Sequence, residues 1–121
     1  MNVKPGDIYD VYFGFEDRPG GKFRPVLLFR PVLIVEIEHN IAVAIKITSK
    51  GPKAPPTIHD QYRIEIQYYQ EAGLTKKSWV RCEKFRVFPL FIFDETNKRG
   101  TLHPDDFERV YSEYCKLRFF E

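Results

Sequence analysis

This 121-residue chain carries few of the features that announce a function at a glance. It has two cysteines, Cys82 and Cys115, so at most one bridge can form and a disulfide scaffold is excluded. Neither belongs to a CxxC pair, and His39, His59 and His103 are not spaced like zinc ligands, so no metal site is expected. There is no phosphate-cradling glycine loop, dinucleotide fingerprint or nucleophile elbow, so no cofactor is expected either. The longest uncharged apolar run, Val87 to Phe93, falls far short of the roughly 20 residues a bilayer requires. Met1 to Asp7 lacks the apolar stretch of a signal peptide. The expectation is a cytoplasmic protein with reduced thiols and no membrane contact. Net charge is scarce too: +2 excludes a strongly basic coat and an acidic tail.

Aromatic residues are plentiful, with 11 Phe, 7 Tyr and one Trp. That many rings favour strands around a dense core over a helical bundle. Strand patterns run from Ile8 to Phe13, from Val26 to Ile37 and from Ile41 to Thr48, the last two joined by a turn at Glu38-His39-Asn40. Pro25 marks a strand start, and Pro31 an edge or bend, because neither can donate to a ladder. Tyr62 to Tyr68 alternates most regularly of all. Ser78 to Phe88 follows, with a short strand expected at Leu90 to Phe93 and a loop from Asp94 to Gly100. The two glycine- and proline-rich stretches, Asp17 to Lys22 and Gly51 to Pro56, read as loops. Only the C-terminus reads as helix: Pro104 suits the first position, Asp105 and Asp106 the positive end of the dipole. Phe107, Val110, Tyr111, Tyr114 and Leu117 then form one apolar stripe. The chain length and this order predict one domain over 1–121, a small mainly β barrel of five to six strands carrying a C-terminal α-helix.

The small total charge hides an uneven distribution. Residues 75–86 carry five cations against Glu83 alone, a balance of +4, whereas residues 101–121 come to −2. A strip of that size holds a few phosphates, although a solvated strand face explains charge alone equally well. Alternation along Ser78 to Phe88 puts Val80 and Cys82 on the core side and Trp79, Arg81, Glu83 and Phe85 on the other. Arg81 and Glu83 then lie about 7 Å apart at Cα. A carboxylate and a guanidinium at that spacing can serve one phosphodiester, with flanking rings to stack bases. The plainer reading is a surface ion pair worth about 0–1 kcal/mol. Arg24, at the end of the glycine loop, is placed to meet a phosphate, and Thr48 and Ser49 close a strand with hydroxyls that can donate to one. As plainer alternatives, these are a solvated strand-end charge and turn formers.

Several segments, in this order, resemble the PemK/MazF (Kid-like) toxins: Lys4-Pro5-Gly6-Asp7-Ile8, Gly21-Lys22-Phe23-Arg24-Pro25-Val26-Leu27, Ile47-Thr48-Ser49, Gly73-Leu74-Thr75-Lys76-Lys77-Ser78, Arg81-Cys82-Glu83-Lys84-Phe85-Arg86 and Gly100-Thr101-Leu102. The resemblance implies an SH3-like barrel working as a homodimer, a metal-free endoribonuclease acting on single-stranded RNA, and a cognate antitoxin that covers the RNA groove. By motif, Arg24 would hold the scissile phosphate and Thr48 would position it. Glu83, where Kid-like members carry Asp, would take the 2′-OH proton, and Arg81 would act on the 5′-oxygen. Charge stabilisation suits Arg81 better than proton donation, since a guanidinium keeps its proton. The products would be a 2′,3′-cyclic phosphate and a 5′-hydroxyl. Substrate contacts are expected from Ser49, Lys22, Arg30 and Lys50, and from Trp79, Phe85 and Arg86. Because Arg-Pro-Val-Leu occurs twice, Arg30 competes with Arg24 for the phosphate, and the Gly-Gly-Lys loop favours Arg24. Two other readings use the same barrel without the chemistry: a toxin that binds DNA gyrase, like the CcdB toxins, and a non-catalytic RNA-binding barrel.

Overall fold

A computed structural model of the chain describes residues 3–14, 27–51 and 62–119. The elements are β1 (Asp7–Gly14), β2 (Leu27–Glu38), β3 (Ile41–Thr48), β4 (Arg63–Glu65), β5 (Trp79–Pro89), a 3₁₀ turn at Leu90–Ile92, β6 (Lys98–Thr101) and α1 (Pro104–Phe119). The strands make one antiparallel sheet in the order β4-β5-β3-β2-β1-β6. The β2–β3 hairpin turns through His39 and Asn40, with His39 at φ +53°, a left-handed conformation rare for a residue with a Cβ. Pro31 lies within β2 opposite Asp10, and pairing with β3 starts only at Val32. The residue without an N–H therefore sits where β2 has a neighbour on one side only.

Strand alternation divides the core in two. Ile8, Leu33, Val35, Val43, Ile45, Ile47, Val80 and Cys82 face the helix and meet its Val110 and Tyr114. On the other face Tyr9, Val11, Val32, Ile34, Ala42 and Ala44 pack beneath Phe93, with Phe88 and Leu90 at the margin. Each fully buried aliphatic side chain contributes about 1.5–3 kcal/mol. The helix is further fixed by Tyr114, whose hydroxyl donates to Glu36, and by Arg118, 3.2 Å from the same carboxylate. Cys82 and Cys115 are both free thiols. No helix among the described residues is long and apolar enough to cross a membrane.

The two ends of the sheet come together and give the fold its barrel-like form. The turn after β4 meets β6 so closely that a Cβ on Gly73 would lie 2.2 Å from the Arg99 carbonyl oxygen. A Cβ on Gly100 would lie 2.4 Å from that of Ala72. Gly73 also has φ +84°. Gly100→Ala is accordingly expected to cost about 2 kcal/mol of stability through overpacking against rigid backbone. Urea unfolding followed by circular dichroism measures it; an unchanged midpoint would show that this seam is loose.

Three local expectations fail. The strand expected from Tyr62 to Tyr68 is only Arg63–Glu65, because the N–H groups of Gln67 and Tyr68 donate to Asp106 on the helix instead of to a ladder. Tyr68 consequently leaves the core; it is 40% exposed and stacks on His103 at 4.1 Å. Leu90 to Phe93 forms a 3₁₀ turn, closed by the Phe93 N–H donating to the Leu90 carbonyl. Lys98–Thr101, expected as loop, becomes a strand through pairing with β1, a partner some 90 residues away in sequence.

Candidate functional site

The site lies on the sheet face turned away from the helix, beyond the end of the second core. Val32 of that core pairs with Lys46, and Ala44 pairs with Arg86, so both cations share its face. Thr48 and Trp79 pair with each other on the same side, as do Arg63 and Arg81. Arginines directly opposite one another repel, and such a pair in a strand edge destabilises unless an anion or carboxylate comes between. Arg63 is partly tied down by donating to the Gly51 carbonyl at 3.0 Å.

A long bulge interrupts the β3–β5 pairing beside these groups. Ile45 pairs with Phe85 and Ile47 with Val80, so a single β3 residue, Lys46, stands opposite the four residues Arg81 to Lys84. A bulge re-aims side chains that regular pleating would keep apart. Inside it, Arg81 Nε lies 3.4 Å from Glu83 Oε1, with the two side chains 20% and 22% exposed. Both atoms are shielded from solvent, and neither has a hydrogen-bond partner among the described residues. Buried polar atoms are nearly always satisfied, so this pair has hydrogen-bonding capacity left over for a third group.

The same bulge overturns one expectation. It reverses the alternation after Lys84, so Phe85 turns to the helix, meets Tyr114 edge-on at 5.4 Å and lies beneath Arg118. Phe85 is a core ring and not a groove ring. Trp79 stays on the site's side but is half-buried. Gly51 lies over it, since a Cβ there would come within 2.8 Å of the indole, and Lys77 sits 5.8 Å from its centre.

Thr48 closes β3, and its Oγ1 accepts the Lys50 N–H at 3.1 Å, which fixes the hydroxyl in place. Ser49 and Lys50 are exposed beside it, as is Arg30 on β2, whereas Arg86, also exposed, lies opposite Ala44, four residues back along β3. Lys22 and Arg24 lie outside the described residues. Next to Thr48 a cleft is lined by Arg30, Lys46, Lys50, Lys76 and Arg99 and by the hydroxyl residues Thr48, Ser49, Thr75 and Ser78, with no carboxylate among its described residues. Cations and hydroxyl donors in this ratio suit an anion with several oxygens, although Arg99 is already paired with Asp10 at 2.9 Å.

Two members of the site carry no motif signal. Arg63 looks like an ordinary outward residue of an alternating strand, and Lys46 like the polar side of β3. Lys46 is strongly altered by its surroundings. Burial, then repulsion from Arg81, Arg30, Lys84 and Lys50, lowers its ammonium from the usual lysine range to about 8. Cys82 is altered in the opposite sense. Burial pushes its thiol up to about 12, and its Sγ rests 3.9 Å from the Val110 carbonyl, so it is core packing and not a nucleophile. No group of three metal-ligating side chains occurs among the described residues.

The fold recurs in a solved structure described as an endoribonuclease from a mycobacterial species, with a TM-score of 0.62 over 96% of this chain and 91% of that one at 14% identity. At that identity the likeness establishes architecture alone. No curated protein sequence matches the chain. A family model does, over residues 4–117, and it spans both the Thr48–Lys50 strand end and the bulge with Arg81 and Glu83. The chain therefore belongs to the PemK-like, MazF-like toxins of type II toxin–antitoxin systems.

Proposed function

We propose that this toxin is an endoribonuclease that cuts single-stranded RNA by attack of the 2′-OH on the adjacent phosphate, acting in the cytoplasm. The observation that carries the reading is the Arg81–Glu83 pair, half-buried, 3.4 Å apart and unsatisfied, set opposite Lys46 within a cation-rich face. RNA brings its own nucleophile, so the protein's task is to move two protons and to stabilise the charge growing on phosphorus-bound oxygen. The Glu83 carboxylate takes the 2′-OH proton. Arg81 meets the phosphorane oxygens with fixed positive charge, a preorganised role that a guanidinium fills without losing a proton. Thr48, together with Ser49, Lys50 and Arg30, holds the phosphate. Arg24 and Lys22, leading into β2, complete the grip, and Arg86 and Trp79 contact neighbouring nucleotides.

The small net charge fits this task, because gripping a few nucleotides of single strand takes a local patch and not a duplex-length stripe. No step in the reaction requires a metal-bound water. Incubation with a long single-stranded RNA in EDTA is expected to give fragments ending in 2′,3′-cyclic phosphate and 5′-hydroxyl, read by end-specific labelling. If the RNA stays intact while Arg24→Ala and Glu83→Ala remain as growth-inhibiting as wild type, the nuclease reading is wrong and a binding toxin takes its place. Two protein partners belong to the same proposal. A second copy of the chain completes a homodimer, expected at twice 14.4 kDa by light scattering. The cognate antitoxin covers the cationic face, so adding it should abolish cleavage.

A further inference from the structure

The inference rests on the endoribonuclease reading and concerns a proton that the residues so far assigned do not supply. When the P–O5′ bond breaks, the departing 5′-oxygen is an alkoxide, which leaves readily only as it gains a proton. Arg81 is an ineffective donor, because a guanidinium stays protonated well beyond neutral pH. Glu83 has just received the 2′-OH proton on the attacking side. In an in-line displacement the leaving oxygen lies on the opposite side of phosphorus, so the donor must be a second group across the phosphate.

Lys46 lies on the strand opposite Glu83. It is the one β3 residue facing the Arg81–Lys84 bulge, and it also lines the cleft that contains Thr48 and Ser49. Lys46 and Thr48 are two apart on one strand, so their side chains leave the same face about 7 Å apart at Cα. The charged groups that act on it are Arg30 from β2, Lys50 just past β3, and Arg81 and Lys84 from β5, and Glu83 lies within the facing bulge. We propose that Lys46 is a further catalytic residue, the general acid that protonates the 5′-oxygen. In the step, the 2′-oxygen bonds to phosphorus as its proton passes to the Glu83 carboxylate. The P–O5′ bond breaks with its electron pair on oxygen, and that oxygen takes a proton from the Lys46 ammonium. The net charge of the two side chains is unchanged, and both return to their starting forms by proton exchange with water.

The surroundings of Lys46 suit the role. An ammonium lowered to about 8 is still protonated at pH 7 but gives up its proton far more readily than an ordinary lysine. An acid must hold its proton to act, so kcat/KM is expected to fall as pH rises through about 8.

The test uses an RNA oligonucleotide containing a linkage the wild-type chain cuts, and the same oligonucleotide with sulfur in place of the 5′-bridging oxygen. A thiolate leaves without a proton. Lys46→Met is expected to slow the oxygen substrate on the order of 10²-fold and the sulfur substrate less than threefold, and to lose the decline above pH 8. Lys46→Arg, which keeps charge but not a readily lost proton, is expected to be slow on oxygen and near wild type on sulfur. Removing a charge from a crowded cation cluster relieves repulsion, so the melting temperature of Lys46→Met should not fall. Equal slowing on both substrates would overturn the proposal and leave Lys46 as a phosphate or structural contact. So would full activity of either variant on the oxygen substrate. A wild-type chain that cuts no linkage in a long single-stranded RNA, so that no such oligonucleotide can be chosen, overturns the nuclease reading itself, an outcome distinct from the other two.

Discussion

Glu83→Gln is expected to lower the single-turnover rate of RNA cleavage on the order of 10³-fold, with KM changed no more than a few-fold. The amide matches the carboxylate in shape and keeps an oxygen beside Arg81, but it cannot accept the 2′-OH proton. The loss thus falls on the chemical step and not on binding. The fold should persist with some loss of stability, because Gln leaves Arg81 opposite Arg63 without its counter-charge, while Cys82 between the two members keeps the bulge anchored in the core. Glu83→Asp offers the informative contrast. It keeps the base and shortens the arm by one methylene, so a loss of roughly 10-fold is expected from misplacement alone. A Gln variant within threefold of wild type would remove Glu83 from the chemistry and return the pair to a structural role. An Asp variant as slow as Gln would mean that arm length, set by the bulge, matters as much as the carboxylate.

How much of this was legible in the sequence depended on whether the deciding contact was local. Strands β1 to β3 and the helix were readable because alternation, proline placement and the helix-start residues are properties of neighbouring positions. Residues 41–48 and Pro104 at the helix start fall where the pattern puts them. Strand β6 was not readable, since Lys98 to Thr101 has no strand pattern and is made a strand only by the edge of β1. The candidate site divides in the same way. Arg81 and Glu83 were visible as a short spaced pair, and Thr48 as a strand-end hydroxyl. The bulge was not, because four residues of β5 facing one of β3 is a register property of two strands about 40 residues apart. That single feature moved Phe85 from groove to core and brought Lys46 into the site. Along β5, alternation therefore held from Trp79 to Glu83 and failed at Phe85.

The same dependence on distant contacts makes Asp106 the position where the largest loss of stability is expected. Its side chain is fully buried in the first turn of α1, where a carboxylate also complements the helix dipole. It accepts the Gln67 N–H at 3.1 Å and the Tyr68 N–H at 2.9 Å, and it pairs with Arg109. Arg109 in turn donates to the Glu65 carbonyl at 3.0 Å, so the acid and its partner together fasten the end of β4 to the helix. Asp106→Ala leaves two backbone donors without an acceptor and deprives Arg109 of its carboxylate, at a cost of about 3 kcal/mol. For a chain of this size that corresponds to a fall of roughly 12 °C in Tm. Asp106→Asn retains one acceptor oxygen and should lose about half as much. Asp105→Ala, at an exposed neighbouring position that shares the dipole but not the backbone contacts, should lose under 1 kcal/mol. Calorimetry on the three variants separates the causes. Equal losses at 105 and 106 would assign the effect to the dipole. A loss confined to 106 would mean that a helix carboxylate, and not any weakness of the alternating pattern, ends β4 after three residues.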